Sequence, residues 1–179
     1  TKNSVASLVD ITAQKMTEES LRESEEKFRV MADSLPIAIV VYQDNRVIYV
    51  NDFSAEISGF SKEELYAKDF WEIFSPDCRD LVRERGFARQ RGETVPTRYE
   101  IRLVNRQGET RWTYLTAGKI LIGGKTAGIA TIEDITDRKR TASALEVSEN
   151  RLRRLFESAP YGILVLDHGE QRITSVNPF

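Results

Sequence analysis

The sequence is short of the residues that catalytic and metal chemistry most often use. Its 179 residues hold one cysteine, Cys78, and one histidine, His168. A lone cysteine closes no internal disulfide, and free thiols are usual in reducing compartments, so the chain reads as cytoplasmic. One histidine and one cysteine supply neither a His/Cys metal cluster nor a local Cys–His pair. Long apolar runs are missing too. The longest, Pro36 to Tyr42, is seven residues, where a membrane-crossing helix needs about 20. The N-terminus is polar and has no apolar signal-peptide region. Neither sign of charge dominates: 26 Lys and Arg stand against 28 Asp and Glu, for a net charge of −2. That balance argues against nucleic acid as a partner and against direct membrane insertion. No glycine-rich loop cradles a phosphate, since Gly123-Gly124 reads as a hairpin turn. Asp69 and Glu72 lack a second group fixed beside them for acid–base work, and no phosphoacceptor-histidine, kinase or cyclase motif occurs. The chain is read as non-catalytic.

What the sequence does hold is a repeat. Asp10-Ile11-Thr12 recurs as Asp134-Ile135-Thr136, and thirteen of the 32 residues from 10 to 41 are identical to those 124 positions later. Leu21 matches Leu145, Ser24-Glu25 matches Ser148-Glu149, Pro36 matches Pro160 and Ile39 matches Ile163. Such self-similarity predicts units in series. One unit ends at each Asp-Ile-Thr, a helix follows, and another unit opens near each proline. Ser7-Leu8-Val9 reads as the end of a strand, with Thr12 and Thr136 as helix N-caps. The stretches 13–35 and 137–159 read as linker helices. Leu21, Ser24, Phe28, Met31 and Leu35 step by 3, 4, 3 and 4, and Leu145, Ser148, Leu152, Leu155 and Ala159 repeat those steps. This is the spacing of a helix-pairing seam, so Leu21, Phe28, Met31, Leu35, Leu145, Leu152 and Leu155 are candidate dimer contacts. The alternative is that each seam packs on its own domain.

Between the linkers, Ile37 to Tyr42 is apolar at odd and even positions, as in a strand covered on both faces. Asp44-Asn45 turns it into a second strand, Arg46 to Asn51. Asp52 to Ile57 reads as a short helix stopped by Gly59. Ser61-Lys62-Glu63-Glu64 has the capping-box pattern. Phe70 to Phe74 reads as a core plug, and Ser75-Pro76 starts a helix with proline at its first position, ending by Gly92. Arg79, Arg83, Arg85, Arg89 and Arg91 on that helix read as a solvated face balanced by Asp77, Asp80, Glu84 and Glu93, with an anion site as the alternative. Three strands follow: 98–105, 110–122 and 126–133. Ile163 to Leu166 and Ile173 to Asn177 repeat the opening hairpin with a longer turn.

Certain short words resemble those of a PAS domain. They are Pro36-Ile37-Ala38-Ile39, Ile48-Tyr49-Val50-Asn51, Ser58-Gly59-Phe60-Ser61-Lys62-Glu63-Glu64-Leu65, Phe74-Ser75-Pro76-Asp77, Glu100-Ile101-Arg102, Gly108-Glu109-Thr110-Arg111-Trp112 and Asp134-Ile135-Thr136. Ser75 departs from the pattern, standing where many relatives have histidine. The resemblance implies an α+β fold: a five-stranded antiparallel sheet in the order 2-1-5-4-3, short helices on one face, and flanking amphipathic linker helices. It divides the chain into the tail of a preceding PAS unit (1–12), a linker helix (13–35), a PAS domain (36–136), a second linker helix (137–159) and the truncated start of a following unit (160–179).

The resemblance also implies a small pocket between sheet and helices, for which Ile39, Val41, Phe53, Ile57, Phe70, Trp71, Phe74, Leu81, Tyr99, Ile101 and Leu103 are the expected lining. Haem is disfavoured because residues 36–134 hold no His or Met to ligate it. A flavin adduct is disfavoured because Cys78 lies in Asp-Cys-Arg-Asp and reads as a small inward helix residue. No cofactor is therefore expected, and an unidentified small ligand is left open. Family logic assigns signal relay to Asp134 and Thr136, and to Asp10 and Thr12 for the preceding unit. A basic partner is expected for Asp134, and Arg111 is the candidate. The implied function is a sensory and relay module of a multidomain signalling protein, such as a sensor histidine kinase. It would be paired as a homodimer through its linker helices and joined to neighbouring PAS units and an output domain. The alternative is a ligand-free structural dimerisation spacer.

Overall fold

The computed structural model describes residues 2–167, 169 and 172–178, the side chains of residues 2–13 and of Arg172 excepted. His168 and the side-chain roles expected of Asp10 and Thr12 lie outside the described part. The chain forms two units, residues 1–135 and 136–179.

The first unit opens with helix α1, Lys2–Asp33. The expected strand end at Ser7-Leu8-Val9 is thus helical, and Thr12 lies inside the helix rather than at its start. Among the described residues, no strand pairs with those three. The segment has no Gly or Pro to interrupt a helix, so the pattern of the following residues propagates back through it. Pro36 cannot continue the helix, and the chain turns into β1, Ala38–Gln43, and β2, Arg46–Val50. Three helices follow: α2, Asp52–Ser58; α3, Lys62–Ala67; and α4, Pro76–Gln90. Gly59 closes α2 in the left-handed region at φ 71°, which glycine adopts without a Cβ clash. Ser61 and Glu64 form the reciprocal capping box of α3. Strands β3, Arg98–Val104, β4, Thr110–Ile122, and β5, Lys125–Asp134, complete the unit. The sheet is antiparallel in the order β2-β1-β5-β4-β3, as expected.

One face of the sheet carries the core. Ala38, Val40 and Tyr42 of β1 pack with Ile101 and Leu103 of β3, Leu115 and Ala117 of β4, and Ala130 and Ile132 of β5. Ile57, Leu65, Phe70, Ile73, Phe74 and Val82 close over them from the helical side. Burial of each large apolar side chain contributes about 1.5–3 kcal/mol. A bulge in β2 opposite Val41 and Tyr42 inserts Ile48, which is exposed. On the far face of β2, Tyr49 meets Phe28 of α1 with ring centroids 5.7 Å apart.

The second unit holds α5, Thr136–Glu157, and a hairpin of β6, Leu164–Asp167, and β7, Arg172–Val176. Thr136 is the first residue of α5 rather than the residue before it. The longer turn expected between β6 and β7 falls on residues 168–171, most of which lie outside the described part.

Candidate functional site

The core of the first unit encloses two cavities. The larger, about 20 Å³, is lined by Val40, Tyr42, Phe70, Ile73, Phe74, Val82, Arg89, Tyr99, Leu115, Ala117, Ala130 and Ile132. The smaller, about 10 Å³, lies toward α2 and α3 beside Ile57, Leu65 and Leu103. A single water needs about 10–15 Å³, so each is water-sized. The reason is an aromatic stack. Tyr42 and Phe70 lie ring on ring, 4.0 Å apart and 23° from parallel, with Trp71 and Phe87 set against Phe70. Two glycines make room for the stack. A Cβ on Gly128 of β5 would strike the Tyr42 ring, and one on Gly86 of α4 would strike Phe70.

Of the expected lining, Ile57, Phe70, Phe74, Tyr99 and Leu103 face these cavities. Ile101 is in the core, and Phe53 and Trp71 pack against it, without lining either cavity. Three expected residues are out of phase. Strand side chains alternate, and Ala38, Val40 and Tyr42 point inward, so Ile39 and Val41 lie on the opposite face. An all-apolar strand carries no alternation from which to read its inner face. Leu81 is exposed, because Val82 holds the inward position on α4. Cys78 packs partly buried against the core, as expected of a small inward residue.

Arg89 is the residue missed. Read with its neighbours as solvated, it is 5% exposed. Arg83 and Arg91 do pair at the surface, with Asp80 and Glu93. Arg89 instead donates to the Pro96 carbonyl at 2.9 Å, the Tyr42 hydroxyl at 3.3 Å and the Arg85 carbonyl at 3.5 Å. Its position was legible in the steps of 4 and 3 from Val82 through Gly86, which put it on the inward stripe. Burial pushes the Tyr42 hydroxyl above its ordinary range, and Arg89 beside it acts more weakly in the other direction.

At the entry to the unit sits Asn51, fully buried. Its Oδ1 accepts from Ile39 N at 2.9 Å, Ser54 N at 3.2 Å and Ser54 Oγ at 2.7 Å. Its Nδ2 donates to the carbonyls of Ala32, at the end of α1, and Ile37. One side chain therefore joins α1, β1 and the start of α2. Asp33 Oδ1 adds a bond from Asp52 N at 2.8 Å. Asn51 closes the Ile48-Tyr49-Val50-Asn51 word, and Asn177 ends the repeated hairpin, which marks the residue but not its role.

At the exit, Asp134 pairs with Arg111 at 3.0 Å, the partner anticipated for it. The Ile135 N–H donates to the Trp112 carbonyl at 2.9 Å, and the Ile135 side chain is buried. Gly128, Ala130, Ile132 and Asp134 share one face of β5, so the strand that lies under Tyr42 and lines the larger cavity also carries the Arg111 clasp. The seam residues Leu21, Phe28, Met31, Leu35, Leu145, Leu152 and Leu155 are all exposed, between 48% and 68%.

Residues 34–137 match the family model of a PAS domain, and residues 150–179 match a second PAS model. Among curated proteins, the chain is 29% identical over 160 residues to the two-component sensor PprA of Pseudomonas aeruginosa, covering 86% of this chain and 17% of that one. It is 23% identical over 171 residues to sporulation kinase E of Bacillus subtilis, covering 94% and 22%. The chain thus spans about a fifth of the length of the curated relatives it matches. The solved PAS domain of an HTR-like protein from Haloarcula marismortui superposes with a TM-score of 0.58 at 21% identity, over 68% of this chain and 99% of that one. Sheet order, helical layer and family model agree, and the chain belongs to the PAS domain family.

Proposed function

We propose that this chain is a sensory and signal-relay module of a larger cytoplasmic signalling protein, a sensor histidine kinase. The observation that carries the reading is the continuity of β5. Residues 128–132 lie against the core stack and the larger cavity, and Asp134, two residues on, is clasped by Arg111 immediately before α5 begins. A change of packing at Tyr42 and Phe70 would shift β5, and the clasp would convey that shift to the linker helix. The two-component sensor and the kinase among the relatives support such a parent. The exposed seams of α1 and α5 support pairing of two copies through helices. In this reading Asp134 and Thr136 relay the signal outward and residues 160–179 open a following unit.

The test is Asp134→Ala in the full-length protein. The clasp is partly exposed, so folding stability falls by about 1 kcal/mol or less, while regulation of the output is lost. Output that still follows the input would overturn the relay. Sedimentation of the chain tests the pairing: dimerisation that rises with concentration, weakened by Leu152→Glu, is expected. A chain that stays monomeric at high concentration would overturn it.

A second reading has its own observation. The Tyr42–Phe70 stack, seated on Gly128 and Gly86, leaves cavities of only water size. A core filled in this way suits a dimerisation spacer that passes motion between neighbouring units and binds nothing.

A further inference from the structure

The buried guanidinium of Arg89 has no part in the relay. It reaches the core among apolar side chains, and its three acceptors are neutral oxygens, two of them beyond the usual hydrogen-bond range. Among the described residues, no ion pair involves it. Tyr42 does not act as its counter-ion, because burial holds that hydroxyl in the protonated form at neutral pH. A second cation is close by: the Arg85 guanidinium lies 4.4 Å over the ring of Tyr99, which lines the same cavity as Arg89. Arg85 is not itself in the cavity wall; of the residues that line it, Arg89 alone is charged, Tyr42 and Tyr99 carry hydroxyls, and the rest are apolar. Buried charge is costly unless it is paired.

We infer that this cavity takes a small monocarboxylate, its carboxylate paired with Arg89 and its apolar body in the space that Phe70 now divides. The inference rests on the sensory reading of the module and names the chemistry of what it senses. A planar carboxylate matches the guanidinium fork with two parallel hydrogen bonds. The apolar wall selects against strongly hydrated inorganic anions. The size limit comes from Phe70, which lines both cavities, as do Val40, Ile73 and Ile132. Phe70 lies in the connection between α3 and α4 rather than within a helix or strand. Turning its ring out of the stack joins the two cavities and opens a volume about that of the ring itself. That volume fits a short aliphatic acid or a single aromatic ring. The same movement unstacks Tyr42 from Phe70 over Gly128, so occupancy and the position of β5 are coupled.

The experiment is a titration of the purified chain followed by amide NMR. The probes are sodium acetate, butyrate and benzoate, each against its neutral amide, with sodium chloride at matched ionic strength. The expected result is saturable shifts at residues 85–90 and 128–134 with the carboxylates, at least about tenfold weaker with the amides and absent with chloride. Arg89→Gln removes the preference for carboxylate over amide, and Phe70→Ala tightens benzoate. If Arg89→Gln fails to fold, the carboxylate–amide comparison in the unaltered chain decides alone. The inference is overturned if amide and carboxylate bind alike, if chloride reproduces the shifts, or if no probe binds either the unaltered chain or Phe70→Ala. Any of these results beside a loss of regulation in Asp134→Ala would leave the relay standing and remove only the ligand.

Discussion

Asn51 and Asn177 make the same clasp in very different surroundings. In the first hairpin, Ile39 N donates to Asn51 Oδ1 and Asn51 Nδ2 donates to the Ile37 carbonyl. In the second, Ile163 N donates to Asn177 Oδ1 at 2.7 Å and Asn177 Nδ2 donates to the Tyr161 carbonyl at 2.9 Å. Ile163 and Tyr161 lie 124 positions on from Ile39 and Ile37. Around the first clasp, Val40, Tyr42, Val47 and Val50 are buried; around the second, Leu164, Leu166, Ile173 and Val176 are more than half exposed. The clasp is therefore a local product of the hairpin and the asparagine that follows it. The core is non-local and needs α2 to α4 and β5 over the strands.

The largest expected difference follows from what else each asparagine holds. Asn51→Ala strands the Ile39 N–H and the Ala32 and Ile37 carbonyls and removes the Ser54 contacts. Each buried polar group left unpaired costs about 1–3 kcal/mol, so a total of about 3–5 kcal/mol is expected, since the losses are not additive. Asn177→Ala is expected to leave the unfolding of the first unit unchanged. Trp71 and Trp112 both lie in the first unit, so urea unfolding followed by tryptophan fluorescence reads that unit alone. Equal midpoints for the two variants would break the comparison, because the clasp would then matter independently of its packing.

Packing itself is tested at three glycines. Gly128→Ala and Gly86→Ala force a methyl into the Tyr42 and Phe70 rings, and overpacking of this kind costs about 1–3 kcal/mol. Gly162, in the second unit, has no atom within 4 Å of an added Cβ, and Gly162→Ala is expected to change thermal stability by about 0.5 kcal/mol or less. Tyr42→Ala is expected to relieve much of the Gly128→Ala cost, which a double-mutant cycle measures. Additive effects would mean that the stack does not rest on Gly128.

Local signals were the legible ones. Capping boxes, proline at a helix start and turn glycines act over a few residues, so α2, α3, α4 and the hairpins were readable from the order of residues alone. The sheet order came through resemblance, since strand order is non-local, and Arg111 was chosen as a basic partner for the carboxylate of Asp134. The inward face of β1 was not readable. Ile37 to Tyr42 is apolar throughout, and Ile39 and Val41 carry no mark that separates them from Val40. Arg89 was obscured by composition, for five arginines in one helix suggest a solvated face, and only its step from Val82 and Gly86 sets it apart. Two glycines carry a packing signal. Gly86 inside a helix and Gly128 inside a strand stand where a side chain would collide with the aromatic rings, and the stack explains both.

The smallest expected effect concerns a contact within the first unit. Ser75, where the family pattern favours histidine, donates its hydroxyl to Asp77 at the start of α4, and Arg102 of β3 pairs with the same carboxylate. The Ser75 hydrogen bond, followed by the Arg102 charge, holds Asp77 below the usual carboxylate range. A depressed acid stabilises the folded chain above its unfolded pKa and loses that contribution as pH falls through the folded value. The gap in melting temperature between the unaltered chain and Ser75→Ala should therefore be present at neutral pH and shrink as the solution is acidified below the ordinary aspartate range. The exposed Arg102–Asp77 pair is present in both proteins, so its screening by added salt should lower both melting temperatures and leave the gap nearly unchanged. A gap that stays constant through the acid range would mean that Ser75 acts through the helix start alone, without its contact to Asp77.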